Sequence, residues 1–244
     1  MVNEFSASAS EIFAAAIQDY GRGIIIGSSS TYGKGTVQRN IGLDPQYGFS
    51  TTNAELGTVK LTLQKFYRVN GGSTQLNGVT PDIIIPDNLE YMKVREKDTK
   101  ESLPWDQIPK SPYITWTPGY DIDSIKRISQ KRIDQDTIFQ LIRRTASYLS
   151  QQNSKLYNLQ LQEYLKSQEK IRTAVKKLDS IQQGREYLKV RPLSGEENRW
   201  STDAPKQERY ERWIKNLQKD IYIDQGVKVL KDIFSQPSQI ARRA

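Results

Sequence analysis

The chain contains neither cysteine nor histidine. Disulfides, thiolate nucleophiles, Cys/His zinc sites and a Ser-His-Asp triad are therefore excluded within its 244 residues. The lack of cysteine suits many compartments, the bacterial periplasm among them, and selects none. No apolar run approaches the ~18 residues that a membrane span requires. The start, Met1-Val2-Asn3-Glu4-Phe5, has no basic n-region and no apolar h-region, so no signal peptide is expected in it.

What is present is 36% hydrophobic and 26% charged, the composition of a chain that buries a core in one large domain or two ordinary ones. The charge is uneven. Residues 1–120 carry 11 basic and 12 acidic side chains, a net of −1, and residues 121–244 carry 25 and 16, a net of +9. Two differently built halves follow from that asymmetry. In the basic half the cations interleave with acids along helical stretches, which reads as a solvated face and argues against nucleic acid as a partner.

Ser10 to Tyr20 reads as a helix with Ile12, Phe13, Ala16 and Ile17 on one face, ended by Gly21. Gly23-Ile24-Ile25-Ile26-Gly27 follows as a short strand apolar on both faces, which is α/β grammar. Val59–Leu63, Phe66–Val69 and Asp82–Pro86 read as further strands, with Asn70-Gly71-Gly72 as a turn. Residues 87–120 are polar and proline-containing, an irregular boundary. Beyond about residue 123 the period becomes helical: Ile138, Leu141, Ile142 and Leu149 share one face, and Leu161, Tyr164, Leu165, Ile171, Val175 and Leu178 another. Asp203 with Pro205 opens a helix carrying Tyr210, Trp213, Ile214 and Leu217, and Asp224 opens a last one through Phe234.

Without His or Cys, the nucleophiles left are Ser, Thr and Lys, and a serine hydroxyl needs a base. Ser6-Ala7-Ser8-Ala9-Ser10-Glu11 places small residues at the mouth of a helix, where free N–H groups can face a developing oxyanion. A plain capping serine, Ser10 with Glu11, fits equally well. Thr31-Tyr32-Gly33-Lys34-Gly35-Thr36-Val37-Gln38 is not a phosphate loop, because Ser28 and Gly35 stand where that motif needs Gly and Ser or Thr. Its glycines could instead let Lys34 enter a dry pocket, where desolvation lowers a lysine pKa and makes it a base; a solvated loop lysine is the other reading.

Taken together, these segments resemble the carboxyl-terminal processing proteases, most closely the tail-specific branch. The resemblance is carried by residues 3–16, by Gln18-Asp19-Tyr20-Gly21-Arg22, by Tyr32–Gln38, by Leu56–Thr62, by Gln64–Gln75, by Gly78-Val79-Thr80-Pro81-Asp82-Ile83 and by Pro104-Trp105-Asp106-Gln107-Ile108. It implies a serine endopeptidase with Ser8 as nucleophile, Lys34 as general base and Gln38 orienting the lysine. Asp19 aligns with an aspartate of the catalytic set, although a carboxylate beside Lys34 would oppose its use as a base, and a structural role for Asp19 stays open. Glu11 and Thr31 fall on supporting positions, and the Ala9 N–H would be one oxyanion donor. Between Gly27 and Thr31 the family usually has a Glu-containing stretch of two residues, whereas this chain has Ser28-Ser29-Ser30.

The implied fold is α/β, residues 1–100 forming the carboxyl-terminal half of a crotonase-like protease core, then an irregular linker at 101–120 and an all-α carboxyl-terminal domain at 121–244. No metal or organic cofactor is implied. The expected partners are protein or peptide substrates with accessible carboxyl-terminal tails, with an adaptor protein and peripheral membrane association left open, and the expected compartment is the periplasm. The family carries a helical region, a PDZ domain and the first half of the core upstream of its serine. The chain thus looks like a carboxyl-terminal fragment, expected to be weak or inactive alone, and a catalytically silent scaffold that binds a partner through its helices is the alternative.

Overall fold

The alanine-rich stretch after Ser8 forms α1 (Ala9–Asp19). The computed structural model describes residues 1–44, 56–153, 156, 159–183, 186–196 and 202–236. They fall into two units, Met1–Ile84 with Lys93–Pro118, and Ile85–Met92 with Gly119–Ala244.

In the first unit α1 buries Glu11, Ala14 and Ala15 against Ile25 and Val79, with Val2 and Ile17 packed at the edge. The apolar face expected at Ile12 and Phe13 is not the buried one: these are 46% and 70% exposed. The small alanines let the helix lie close to the core, and the inward carboxylate of Glu11, described below, fixes its rotation. β1 (Ile26–Gly27) pairs in parallel with β4 (Ile83–Ile84), and Val2 bridges Gly27 in the same sense. β2 (Thr36–Gly42) and β3 (Thr58–Lys65) form an antiparallel ribbon with a bulge between Val37 and Gln38. Phe66–Val69, expected as a strand, is instead half of a tight turn. It keeps one bridge, Tyr67 to Ser73, and the Arg68 N–H donates to the Gly72 carbonyl at 2.8 Å.

Residues 101–120, read as an irregular linker, contain no regular helix or strand, yet the larger stretch 93–118 is strapped onto the first unit. The Pro104–Ile108 motif supplies the anchors. The Trp105 indole donates to the Ser73 carbonyl (2.9 Å), and Asp106 accepts from the Lys65 ammonium (2.9 Å) and the Tyr67 hydroxyl (3.1 Å). The Ile108 N–H donates to Gly71 (2.9 Å) and the Trp116 N–H to Tyr20 (2.8 Å). Gly71 is required here: at φ +93° a Cβ would stand 2.2 Å from the Ile108 carbonyl oxygen.

The second unit is helical: α2 (Ile122–Gln135), α3 (Thr137–Asn153), α4 (Leu161–Gln183), α5 (Ala204–Gln218) and α6 (Ile221–Ser235). Ile125 and Ile133 of α2, Phe139 and Ile142 of α3 and Ile221 and Val229 of α6 are among its buried residues, with Phe139 edge-on to Tyr222. Of the face expected on α4 only Leu178 is buried. Asp203 caps α5, accepting from the Lys206 N–H, as expected. The last helix starts one turn earlier than expected, because Asp220 accepts from the N–H groups of both Tyr222 and Ile223, while Asp224 is buried within the helix and pairs with Lys228 at 2.7 Å. Ile85 is buried in this unit, and the Pro86 carbonyl accepts from the Tyr222 hydroxyl. Among the described residues no helix is long and apolar enough to cross a membrane.

Candidate active site

Ser8 occupies the N-cap position of α1 with φ +54° and ψ −110°. A non-glycine residue is held there only by its surroundings, at a cost of about 1–3 kcal/mol. Its hydroxyl caps no backbone N–H, so the sharp turn presents the side chain without spending it on the helix. Ser10, the alternative cap, lies inside the helix. Ala9 is the first helical residue, and its N–H has no carbonyl of the preceding turn to bond.

The Ser8 turn is held by Glu11, which is fully buried. One carboxylate oxygen accepts from the Ser8 N–H (2.8 Å) and the Lys34 N–H (2.9 Å). The other accepts from the Thr31 hydroxyl (2.5 Å) and the Gly33 N–H (2.7 Å). A carboxylate offers about four acceptor sites, and here all are used, two by each oxygen. A single side chain thereby fixes the backbone of the serine turn and of the lysine loop to each other. Thr31, also fully buried, receives the Val79 N–H on its hydroxyl (2.7 Å), which ties the loop to the strand layer.

The three serines before Thr31 are absorbed without disturbing this register. Ser28 and Ser30 are buried, the Ser28 hydroxyl donates to the Ser30 carbonyl (3.2 Å), and Arg95 donates to the Ser29 hydroxyl (3.2 Å). On the far side of Lys34, the Gly35 N–H donates to the side-chain oxygen of Gln75 (2.9 Å), itself fully buried. A Cβ on Gly35 would lie 2.6 Å from the Gln75 backbone nitrogen, so the approach requires glycine.

Lys34 and Gln38 line one pocket of about 340 Å³ together with Tyr32, Lys60, Glu96, Thr99, Glu101 and Ser102. Gln38 itself bonds the Thr62 hydroxyl across the ribbon at 3.4 Å. Among the described residues no hydrogen bond joins the Ser8 hydroxyl to the Lys34 ammonium, or Gln38 to Lys34. Asp19 is engaged elsewhere, in a two-pronged pair with Arg68 (2.6 and 2.9 Å) and a bond from Asn70 (3.1 Å) that pin the end of α1 to the 66–72 turn. Arg68 also reaches Gln18 (2.9 Å). No group of three or more acidic, His or Cys side chains able to hold a metal occurs among the described residues.

The residues that pattern reading missed are Gln75, Glu96 and Arg68. Gln75 and Arg68 stand inside a stretch that carries the family resemblance, whereas nothing in the local sequence marks Glu96. Its N–H donates to the Tyr32 carbonyl (3.0 Å) and its carboxylate accepts from the Gln75 amide (3.2 Å) and the Tyr32 hydroxyl. Burial, then the charge of Glu96 and the bond to it, push the Tyr32 phenol above its ordinary 10.0.

Residues 89–235 match the family described as the C-terminal domain of tail specific protease, and residues 1–85 match Peptidase family S41. The "Tail-specific protease" of Haemophilus influenzae is 51% identical over 114 residues, 47% of this chain and 16% of that protein. The "Carboxy-terminal-processing protease" of Bartonella bacilliformis is 43% identical over 89 residues, 36% of this chain and 18% of that protein. A "Probable CtpA-like serine protease" of Staphylococcus epidermidis is 34% identical over 110 residues, 40% of this chain and 20% of its own length. The chain thus spans a fifth or less of each of these three relatives. With one model covering well over half of its length and another the serine turn and lysine loop, the chain belongs to the tail-specific, carboxyl-terminal processing protease family and resembles its carboxyl-terminal part.

Proposed function

We propose that Ser8 and Lys34 are the nucleophile and general base of a serine endopeptidase that cuts proteins with accessible carboxyl-terminal tails. The observation that carries this reading is the Glu11 carboxylate, which binds the N–H groups of both residues and holds Ser8 in a strained turn at the mouth of α1. In the reaction the Ser8 Oγ attacks the scissile carbonyl while the Lys34 amine, in its neutral form, takes the hydroxyl proton. The Ala9 N–H faces the oxyanion. The lysine then gives its proton to the leaving amine, and water, activated by the same lysine, attacks the acyl-enzyme carbonyl and frees Ser8. Every step uses groups of the serine turn and lysine loop together with water, and none needs a metal or organic cofactor.

The same reading takes residues 1–100 as the carboxyl-terminal half of a crotonase-like core, which the α1 and β1–β4 arrangement supports. The resemblance supplies the rest: a periplasmic setting, a second oxyanion donor on a segment preceding this one, and delivery by an adaptor. Loss of one oxyanion donor costs about 10²–10³ in rate, so the 244 residues assayed alone are expected to cleave slowly.

A fluorophosphonate probe tests the dyad on the full chain. Slow stoichiometric labelling at Ser8 is expected, abolished in Ser8→Ala and reduced about 100-fold in Lys34→Ala, within the range of general-base effects. Equal labelling of wild type and Lys34→Ala would overturn the dyad. No labelling at all would leave the silent-scaffold reading standing.

A further inference from the structure

We infer that Glu96, on the 93–118 strap within the stretch matched by the carboxyl-terminal family, is a positioning residue for the lysine loop, so that this strap completes the proteolytic site. The inference rests on the assignment of Lys34 as the base.

The lysine loop is fixed from two sides. Glu11 holds the Gly33 and Lys34 N–H groups from within the peptidase segment. On the other side the peptidase segment supplies the Leu76 N–H to the Gly33 carbonyl (2.8 Å), the Phe66 N–H to the Gly35 carbonyl (3.1 Å) and the Thr74 hydroxyl to the Lys34 carbonyl (3.4 Å), and Glu96 adds a brace to these. The Gly35 N–H is received by Gln75, whose amide donates to Glu96, and the Glu96 N–H donates to the Tyr32 carbonyl. Glu96 therefore grips the residue two before Lys34 directly and the residue one after it through Gln75. It lies in a short 3-10 turn, Glu96–Asp98, whose entry is fixed by the Arg95 N–H donating to Asp98 (3.0 Å). The Ser102 hydroxyl closes the turn on the Glu96 carbonyl at 2.6 Å. The boundary between the two family matches falls at residues 85–89, upstream of Glu96. The brace on this side thus comes from the part of the carboxyl-terminal family match that belongs to the first unit, the strap anchored at Trp105, Asp106 and Ile108.

The geometry separates this role from general stability. Removing the Glu96 side chain leaves α1, Glu11 and the β1–β4 pair with all the bonds given above. It strips the Tyr32 hydroxyl of its acceptor and leaves the Gln75 amide with the Leu103 carbonyl (3.1 Å) alone, which loosens the hold of Gln75 on Gly35. The lysine loop would keep the Glu11 bonds and the backbone bonds of Leu76, Phe66 and the Glu96 N–H, and would lose the brace on Gln75 and Tyr32.

The test compares Glu96→Ala and Glu96→Gln with wild type in the full chain. In Glu96→Ala the Lys34 and Gly35 amides are expected to exchange hydrogen about tenfold faster, the factor that goes with losing a charge-assisted hydrogen bond, while Ala14 and Ala15 in α1 keep their rates. The Tyr32 phenol is expected to titrate closer to its ordinary 10.0. The maximal rate of fluorophosphonate labelling at Ser8 falls about tenfold with the half-saturating probe concentration unchanged, because the base is displaced and the probe's contacts are not. Glu96→Gln, which keeps an acceptor oxygen, restores most of the loss. Unchanged exchange at Lys34 and Gly35 overturns the inference. So does faster exchange spread equally through α1, which would make Glu96 a stabiliser of the whole unit. If wild-type Ser8 does not label, the dyad fails by its own test, and the exchange and tyrosine titration still decide whether Glu96 positions the loop.

Discussion

Replacing Glu11 by alanine strands four donors at once. Two of them, the Thr31 hydroxyl and the Gly33 N–H, make their bonds in buried surroundings, and the Ser8 and Lys34 N–H groups make theirs partly buried. A buried donor left without a partner costs about 1–3 kcal/mol, so the first two alone give roughly 2–6 kcal/mol. Relaxation of the Ser8 turn returns about 1–3 kcal/mol, and the half-buried pair adds to the loss again. A net destabilisation of about 3 kcal/mol is expected at the middle of these ranges, a large part of the ~5–15 kcal/mol that holds a domain together. Glutamine should rescue little. It keeps one carbonyl oxygen, with two acceptor sites, and turns an NH₂ group towards donors. Hydrogen exchange by mass spectrometry over residues 9–35 and 72–79 reads the first unit without interference from the helical one. The reasoning is refuted if Glu11→Ala costs less than about 1 kcal/mol with Gly33 and Lys34 still protected.

The opposite sign is expected at Glu4, which is fully buried with neither carboxylate oxygen partnered among the described residues. Glu4→Met should stabilise the first unit by about 1–3 kcal/mol, read by the same exchange measurement, and a loss of stability would show that a donor reaches it. Gly71→Ala should release the strap, since its Cβ would stand 2.2 Å from the Ile108 carbonyl oxygen; limited proteolysis should then cut between 93 and 118 while α1 stays protected. The bond from Lys65, followed by that from Tyr67, holds the Asp106 carboxyl below its ordinary 3.8. Its contribution is therefore complete above pH 3.8 and lost as the pH falls through the lower folded value. Exchange at Ile108 should accelerate over that acid range in wild type, and Asp106→Asn should exchange fast there at every pH.

Local pattern reached the elements whose causes are local. The helix after Ser8, the buried isoleucines flanking it in sequence, the cap at Asp203 and the inward residues of α3 follow from period and composition. It failed where a distant partner decides. Ile12 and Phe13 carry the larger apolar surface of α1, but Glu11 turns that face outward through donors 20 to 23 residues away. Asp220 and Asp224 both resemble caps, and only the earlier one reaches two free N–H groups. Ser8 and Lys34 stand out in the sequence as residue types beside glycines and small residues. That Glu11 joins them does not, and neither does Glu96, whose use depends on a chain that leaves the first unit at residue 85 and returns at 93.

That excursion bears on how the protein can fold. The buried Ile85 and the Pro86 carbonyl belong with helices that follow much later, Tyr222 lying 136 residues downstream of Pro86. The first unit in turn waits for the strap, whose last residue in it is Pro118. The first unit is complete only once Pro118 has emerged, and residues 85–92 wait for helices that follow much later. The early segments must persist with unpaired loop amides until the later ones arrive, and contacts of such long sequence separation slow the search for the native state. Assembly of the lysine loop thereby waits for synthesis of the strap, and a nascent chain that stops before residue 96 carries the serine turn without the brace on the lysine loop.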